Sequence, residues 1–96
     1  MTMTNETELG NHRIEQMTQC LEKELSPISI SITDDSHLHA GHAGARSGKG
    51  HFSLDIISEQ FKGISSIKRH QLVYKALTEM MESDIHALSI KATPPS

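Results

Sequence analysis

The chain reads as a small α+β domain of order α-β-β-α-α-β, carrying a three-stranded mixed sheet with helices on one face. Three observations predict this. Ile14, Met17, Leu21 and Leu25 recur at helical spacing. Ile28, Ile30 and Ile32, then Phe52, Leu54 and Ile56, each occupy every second position, the period of a half-buried strand. The same alternation returns in IHALSIKA at the C-terminal end, after a further helical stretch. Strands one and two, joined by a single loop, form an antiparallel pair. Strands two and three flank a helical crossover, so they run parallel with right-handed connection.

Taken in order, residues 1–10 are polar and aperiodic and are expected to be disordered, leaving residues 11–96 as the folded domain. Asn11 is a suitable N-cap for the first helix, and Pro27 stops it. Asp34-Asp35-Ser36 ends strand one. The segment from Ser58 to Gly63 is long enough for one helical turn, which Gly63 breaks. Ser65 or Ser66 then caps a longer helix reaching about Glu82, with an expected buried stripe of Ile67, His70, Val73, Leu77, Met80 and Met81. In strand three, simple alternation groups His86 with Leu88 and Ile90, which makes His86 the first inward position, at the rim of the sheet. Pro94 and Pro95 close the chain.

At 96 residues one core is the limit, since a chain of this size buries only about 60–65% of its unfolded surface. That core is aliphatic: the chain has three aromatic residues, Phe52, Phe61 and Tyr74, and no tryptophan. A net charge of −3 provides no overall attraction to nucleic acid or an anionic membrane. One cysteine, Cys20, forms no internal disulfide and falls near the apolar side of helix one, and no apolar run is long enough to span a membrane. A cytoplasmic, reducing compartment is expected.

Residues 37–51, HLHAGHAGARSGKGH, hold four of the seven histidines and four of the six glycines. Neutral imidazole is the commonest side-chain metal ligand, so such a segment suggests ligation or proton transfer; solvated loop histidines are the plain alternative. The predicted topology brings the start of strand three to the same end of the sheet as this loop, so His86 is expected near His51 and beneath His37 to His42. Two imidazoles leave a tetrahedral centre incomplete, and a partner protein would have to supply the rest. His70 reads as a core or capping histidine, and His51 as a surface residue near the site. His12, in the first turn of helix one, has no evident partner.

The Gly48-Lys49 pair is not a phosphate loop. Ala43 stands where the motif needs glycine, Gly50 where it needs Ser or Thr, and a strand follows instead of a helix. No Ser, His and acid arrangement or activated cysteine supports an enzyme. Lys62, Lys68 and Arg69 form a small basic cluster near a helix N-terminus, able to meet phosphate or simply to face solvent.

DDSHLHAGH, GHFSLDIIS, FKG, RHQLVYKAL and IHALSIKATP, in this order, resemble the BolA family from about helix one to Pro94. The resemblance implies a fold similar to the type II KH arrangement. It also implies a non-enzymatic role in iron–sulfur metabolism, in which a BolA-like protein pairs with a monothiol glutaredoxin and shares a [2Fe–2S] cluster held also by glutathione. The family's C-terminal ligand corresponds to His86, and its loop ligand, Cys or His, to His39 or His42, a choice the sequence leaves open. Histidine ligation raises the potential of such a cluster relative to all-thiolate ligation and couples it to protonation. The resemblance implies no cofactor in the isolated protein, which is expected to be a monomer alone and a heterodimer with its partner.

The family's other role, DNA binding and transcriptional control, would use the helical surface around Lys62, Lys68 and Arg69. Two positions depart from the family pattern. Gly50 replaces a common Ser or Thr and is expected to loosen the loop, while Gln71 replaces a common basic residue and weakens the DNA reading. This helical surface also lacks the GxxG loop with which typical KH domains clamp a nucleic-acid backbone.

Overall fold

A computed structural model describes residues 6–36 and 49–96. Helix α1 (Glu6–Leu25) is followed by β1 (Ser29–Asp34), β2 (Gly50–Ile57), a 3-10 turn (Glu59–Phe61), α2 (Ser66–Ala76), α3 (Thr78–Ser83) and β3 (Ile85–Thr93). The sheet order is β1-β2-β3, with β1 antiparallel and β3 parallel to the central strand, as the alternation and the helical crossover predict.

Parity along β2 separates two environments. Phe52, Leu54 and Ile56 enter the core, where they meet Met17, Leu21 and Leu25 of α1, Phe61, and Val73, Leu77 and Met80. Each large apolar side chain fully removed from water contributes about 1.5–3 kcal/mol. On the edge strands the apolar positions facing the helices, Ile30, Ile32, Leu88 and Ile90, are half-buried. Cys20 packs against the core as part of the α1 face.

The start of α1 differs from expectation. It lies at Glu6, so Asn11 is an exposed residue inside the helix and not its cap. Docking of the extra turns overrides the weak helix propensity of Gly10 and Asn11. Gly10 is buried, and a Cβ there would collide with the Asp34 carboxylate, while Arg13 is buried one turn further on. The helix ends through Ser26, whose φ of 44° is the left-handed geometry of a helix C-terminus, and Pro27 prevents continuation.

The crossover also departs from the predicted single long helix. Ser65 caps α2, its hydroxyl accepting from the Lys68 N–H at 3.2 Å. A break at Leu77 then separates α2 from α3. There the Thr78 hydroxyl donates to the carbonyls of Tyr74 and Lys75, drawing on groups that a continuous helix would use. The expected buried stripe holds at Val73, Leu77 and Met80 and fails at its two ends. Val73, Leu77 and Met80 are buried and Leu72 and Ala76 pack against them; His70 and Met81 are only half-buried, and Ile67 is 71% exposed. Ile67 and Tyr74 instead lie on the outer face.

Ser58 ties the crossover to α1. Its buried hydroxyl donates to the Leu25 carbonyl at 2.6 Å and accepts from the Gln60 N–H at 3.2 Å, capping the 3-10 turn. That turn closes before Gly63, whose φ is 75°, as the sequence suggests.

Candidate metal centre at the sheet rim

The end of the sheet where β2 and β3 both begin is irregular. Gly50 pairs with Ile85, but His51 pairs with Ala87, so β3 carries one extra residue at this point, and that residue is His86. The bulge resets the parity. Ile85 turns into the core at 1% exposure, Leu88 and Ile90 keep the register of Phe52 and Leu54, and His86 is exposed. The expectation that His86 shares the inward face of Leu88 and Ile90 is therefore corrected: unbroken alternation does not anticipate an inserted residue.

Several bonds hold this end. The Gly50 N–H donates to the Asp84 carbonyl at 2.8 Å, joining the start of β2 to the turn before β3. From α1, Arg13 Nε contacts Asp84 Oδ2 at 3.1 Å. The Asp84 carboxyl is held below its usual range by a hydrogen bond from Ser83 first, then by the bond and charge of Arg13 and the charge of His12, against an opposing effect of burial. His12, without an evident role in the sequence, thus contributes to the field at this turn.

Gly50, expected to loosen a loop that lies outside the described residues, is itself packed at the rim. It is buried, and a Cβ at this position would lie 2.6 Å and 2.8 Å from atoms of the Phe52 ring and 3.1 Å from Ser36 Oγ. A glycine here lets the strand approach a core ring closely.

Asp34-Asp35-Ser36 does more than terminate β1. The Ser36 N–H donates to Asp34 Oδ1 at 2.8 Å, the Asp35 N–H to the His51 carbonyl at 2.7 Å, and the His51 N–H to Ser36 Oγ at 3.1 Å. The Ser53 hydroxyl donates to the Asp35 carboxylate. These bonds fix His51 against the chain leaving β1. Such Asp and Ser chemistry is a legible turn signal, but its partners across the strand are not legible from sequence.

His51 is 8% exposed, not a surface residue, and its ring centroid lies 5.1 Å from that of His86, with the planes inclined by 51°. The predicted convergence of these two imidazoles is thus found, although their exposures are the reverse of those expected. His39 and His42 lie outside the described residues. Among the described residues no group of three or more His, Cys, Asp or Glu side chains is arranged to hold a metal ion.

The basic residues lie elsewhere, around the N-terminus of α2. Lys62 and Lys68 are exposed. Half-buried Arg69 directs its guanidinium to the carbonyls of Ile64 at 3.1 Å and Ala92 at 3.4 Å, so it braces α2 against the end of β3. No helix among the described residues is long and apolar enough to cross a membrane.

Comparisons with known proteins bear on the family and the fold. The family model described as BolA-like protein matches residues 21–96. The chain is 42% identical over 88 residues to Protein BOLA1, chloroplastic, of Arabidopsis thaliana, a match covering 88% of the chain but only 55% of that relative's length. It is 38% identical over 77 residues to the DNA-binding transcriptional regulator BolA of Haemophilus influenzae, covering 80% of the chain and 72% of the relative. Among solved structures, the BolA domain of SufE1 from Arabidopsis thaliana is similar with a TM-score of 0.76 at 42% identity, over 86% of this chain and 92% of that one. By family match, sequence identity and fold together, the chain belongs to the BolA-like family.

Proposed function

We propose that the chain is a non-enzymatic adaptor that binds a monothiol glutaredoxin and shares with it, and with glutathione, a [2Fe–2S] cluster for iron–sulfur trafficking or iron sensing. The observation that carries this reading is the placement of His86, an exposed imidazole presented by a bulge at the rim of a hydrogen-bonded sheet. The donor type fits, because imidazole ligates iron in [2Fe–2S] centres where two histidines replace two thiolates. A single strongly placed donor also suits a shared site, in which another protein provides most of the coordination.

In this reading His86 is one donor from the chain and His39 or His42 the second. The cluster, when bound, supplies electron-transfer and iron–sulfur donor chemistry. The chain's own part is to hold the His86 imidazole at a fixed position while leaving it open to a partner, with the Arg13–Asp84 contact and the Gly50–Asp84 bond bracing the turn before it. The reading takes the chain as cytoplasmic, monomeric alone and heterodimeric with its partner.

Anaerobic reconstitution of the chain with a monothiol glutaredoxin and glutathione, followed by visible circular dichroism, tests it. A spectrum distinct from that of the glutaredoxin cluster alone is expected. An identical spectrum, with the two proteins eluting separately, would overturn the reading.

A second reading is favoured by charge. From Lys62 to Leu77 the chain contains no Asp or Glu and carries Lys62, Lys68, Arg69 and Lys75, against a net charge of −3 overall. A DNA-binding regulator of the kind named for the Haemophilus influenzae relative would use this surface. Its affinity for duplex DNA would fall steeply with salt, and replacing Lys62 and Lys68 together by Gln would reduce the log–log salt slope by about 2. A salt-independent affinity would exclude it.

A further inference from the structure

The backbone around His86 is held by the pairing of Gly50 with Ile85 and of His51 with Ala87, and by the Gly50–Asp84 bond. These fix where the side chain starts but not where its ring points, because χ1 has three staggered wells and His86 is exposed. The ring that meets it is that of His51, with centroids 5.1 Å apart and planes inclined by 51°. Tilted aromatic rings are in direct contact at separations of about 4.5–7 Å. The two partners are not equally free. His51 is 8% exposed and both its ring nitrogens are closed to solvent. Its main chain is tied on both sides, the N–H donating to Ser36 Oγ at 3.1 Å and the carbonyl accepting from the Asp35 N–H at 2.7 Å.

We propose that His51 is a positioning residue: its buried ring is a fixed wall that holds the exposed His86 imidazole in one rotamer and presents that donor ready for coordination. The inference rests on the reading of His86 as a cluster donor and adds a second residue to it. His51 itself touches neither cluster nor partner and acts only through the ring of His86. His86 stays exposed despite the contact, as a site completed by another protein requires. The size of the effect follows from the rotamer count. A donor spread evenly over three wells is competent about one third of the time, and apparent affinity falls by that fraction, so a fixed ring strengthens the shared site about threefold.

Three-bond couplings from His86 Cγ to its backbone nitrogen and carbonyl carbon report its χ1 populations in the full chain, without glutaredoxin or iron. One dominant well is expected in the wild type. His51→Leu, which fills the buried space without a planar ring, should spread His86 over several wells, and His51→Phe, which restores a ring, should return it to one. The same couplings at His70, on α2, are expected to stay unchanged, which separates positioning from a general loosening of the fold. In visible circular dichroism, titration of each variant into a [2Fe–2S]-loaded monothiol glutaredoxin with glutathione should give the full mixed-complex spectrum, with a midpoint about threefold higher for His51→Leu and restored by His51→Phe. Rotamer averaging of His86 in the wild type, a single rotamer that persists in His51→Leu, or a weakened midpoint that His51→Phe does not restore would each overturn the proposal. The wild-type couplings need no variant, so averaging there overturns it even where a substitution at this buried position unfolds the chain. A wild-type titration without a mixed-complex spectrum would instead sink the cluster reading, while the couplings still decide whether His51 fixes His86.

Discussion

The two ends of the β2–β3 ladder are built on different rules. From Phe52–Leu88 to Ile56–Ala92 the pairing is regular, and side-chain parity alone decides what is buried. At the Gly50–Ile85 end one extra residue breaks that parity, and two neighbours in sequence part company: Ile85 becomes core while His86 remains in solvent. The regular end therefore contributes stability, whereas the irregular end combines stability with an accessible donor. A bulge permits this because it reorients one side chain without giving up the pairing on either side.

Large-to-small substitutions are the strongest way to break the comparison. Leu54→Ala, at the regular end, and Ile85→Ala, at the bulge, should each lower stability by about 3 kcal/mol, measured by urea denaturation at constant m-value. A loss below about 1 kcal/mol for Ile85→Ala alone would mean that the irregular end is loosely packed and that the contrast between Ile85 and His86 is overstated.

The next effect concerns close approach. Gly50→Ala pushes a methyl group into the Phe52 ring and should cost about 1–3 kcal/mol, with the shift visible in the Phe52 ring resonances. A neutral or stabilising result would show that the ring yields freely and that the rim tolerates a side chain at this position.

The brace between α1 and the rim is weaker. Arg13→Gln should cost about 0.5–1 kcal/mol near neutral pH, as expected for a partly exposed ion pair. Because the Asp84 carboxyl is depressed in the folded protein, its contribution is complete above the ordinary carboxylate range and is lost as pH falls through the folded value. The difference in melting temperature between wild type and Arg13→Gln should accordingly shrink as pH is lowered below about 4. A constant difference would assign the effect to packing of the Arg13 side chain and not to its charge.

Much of the fold was legible because its signals are local and repeated. Alternation in β1 and β2, the stop at Pro27 and the Ser65 cap each follow from chemistry within a few residues, and the helical crossover gives the direction of β3. The misplacements share a different cause, since each depends on contacts distant in sequence. Gly10 and Arg13 dock against Asp34 and Asp84 and carry α1 back to Glu6. The Leu77 break has no proline or glycine to announce it, and at the start of α2 Ile67 and His70 do not join the stripe that Val73 and Leu77 continue.

The site was legible as a meeting of His51 and His86, because parallel pairing fixes which strand ends coincide. It was not legible in detail. Unbroken alternation hides the inserted residue at His86, and nothing in the chain surrounding His51 announces that its ring is buried. The loop candidates His39 and His42 fall outside the described residues, so the sequence remains the basis for naming them.

The central claim is that His86 is a donor supported by the fold and not a residue that supports it. Purified His86→Ala should be compared with wild type in two measurements on the same preparation: urea unfolding, and visible circular dichroism after anaerobic reconstitution with a monothiol glutaredoxin and glutathione. The account predicts a stability change within about 0.5 kcal/mol, the range of an exposed surface position, together with loss of the mixed-complex spectrum. A mixed-complex spectrum that survives the substitution would contradict it, as would a loss of stability comparable to that of Ile85→Ala.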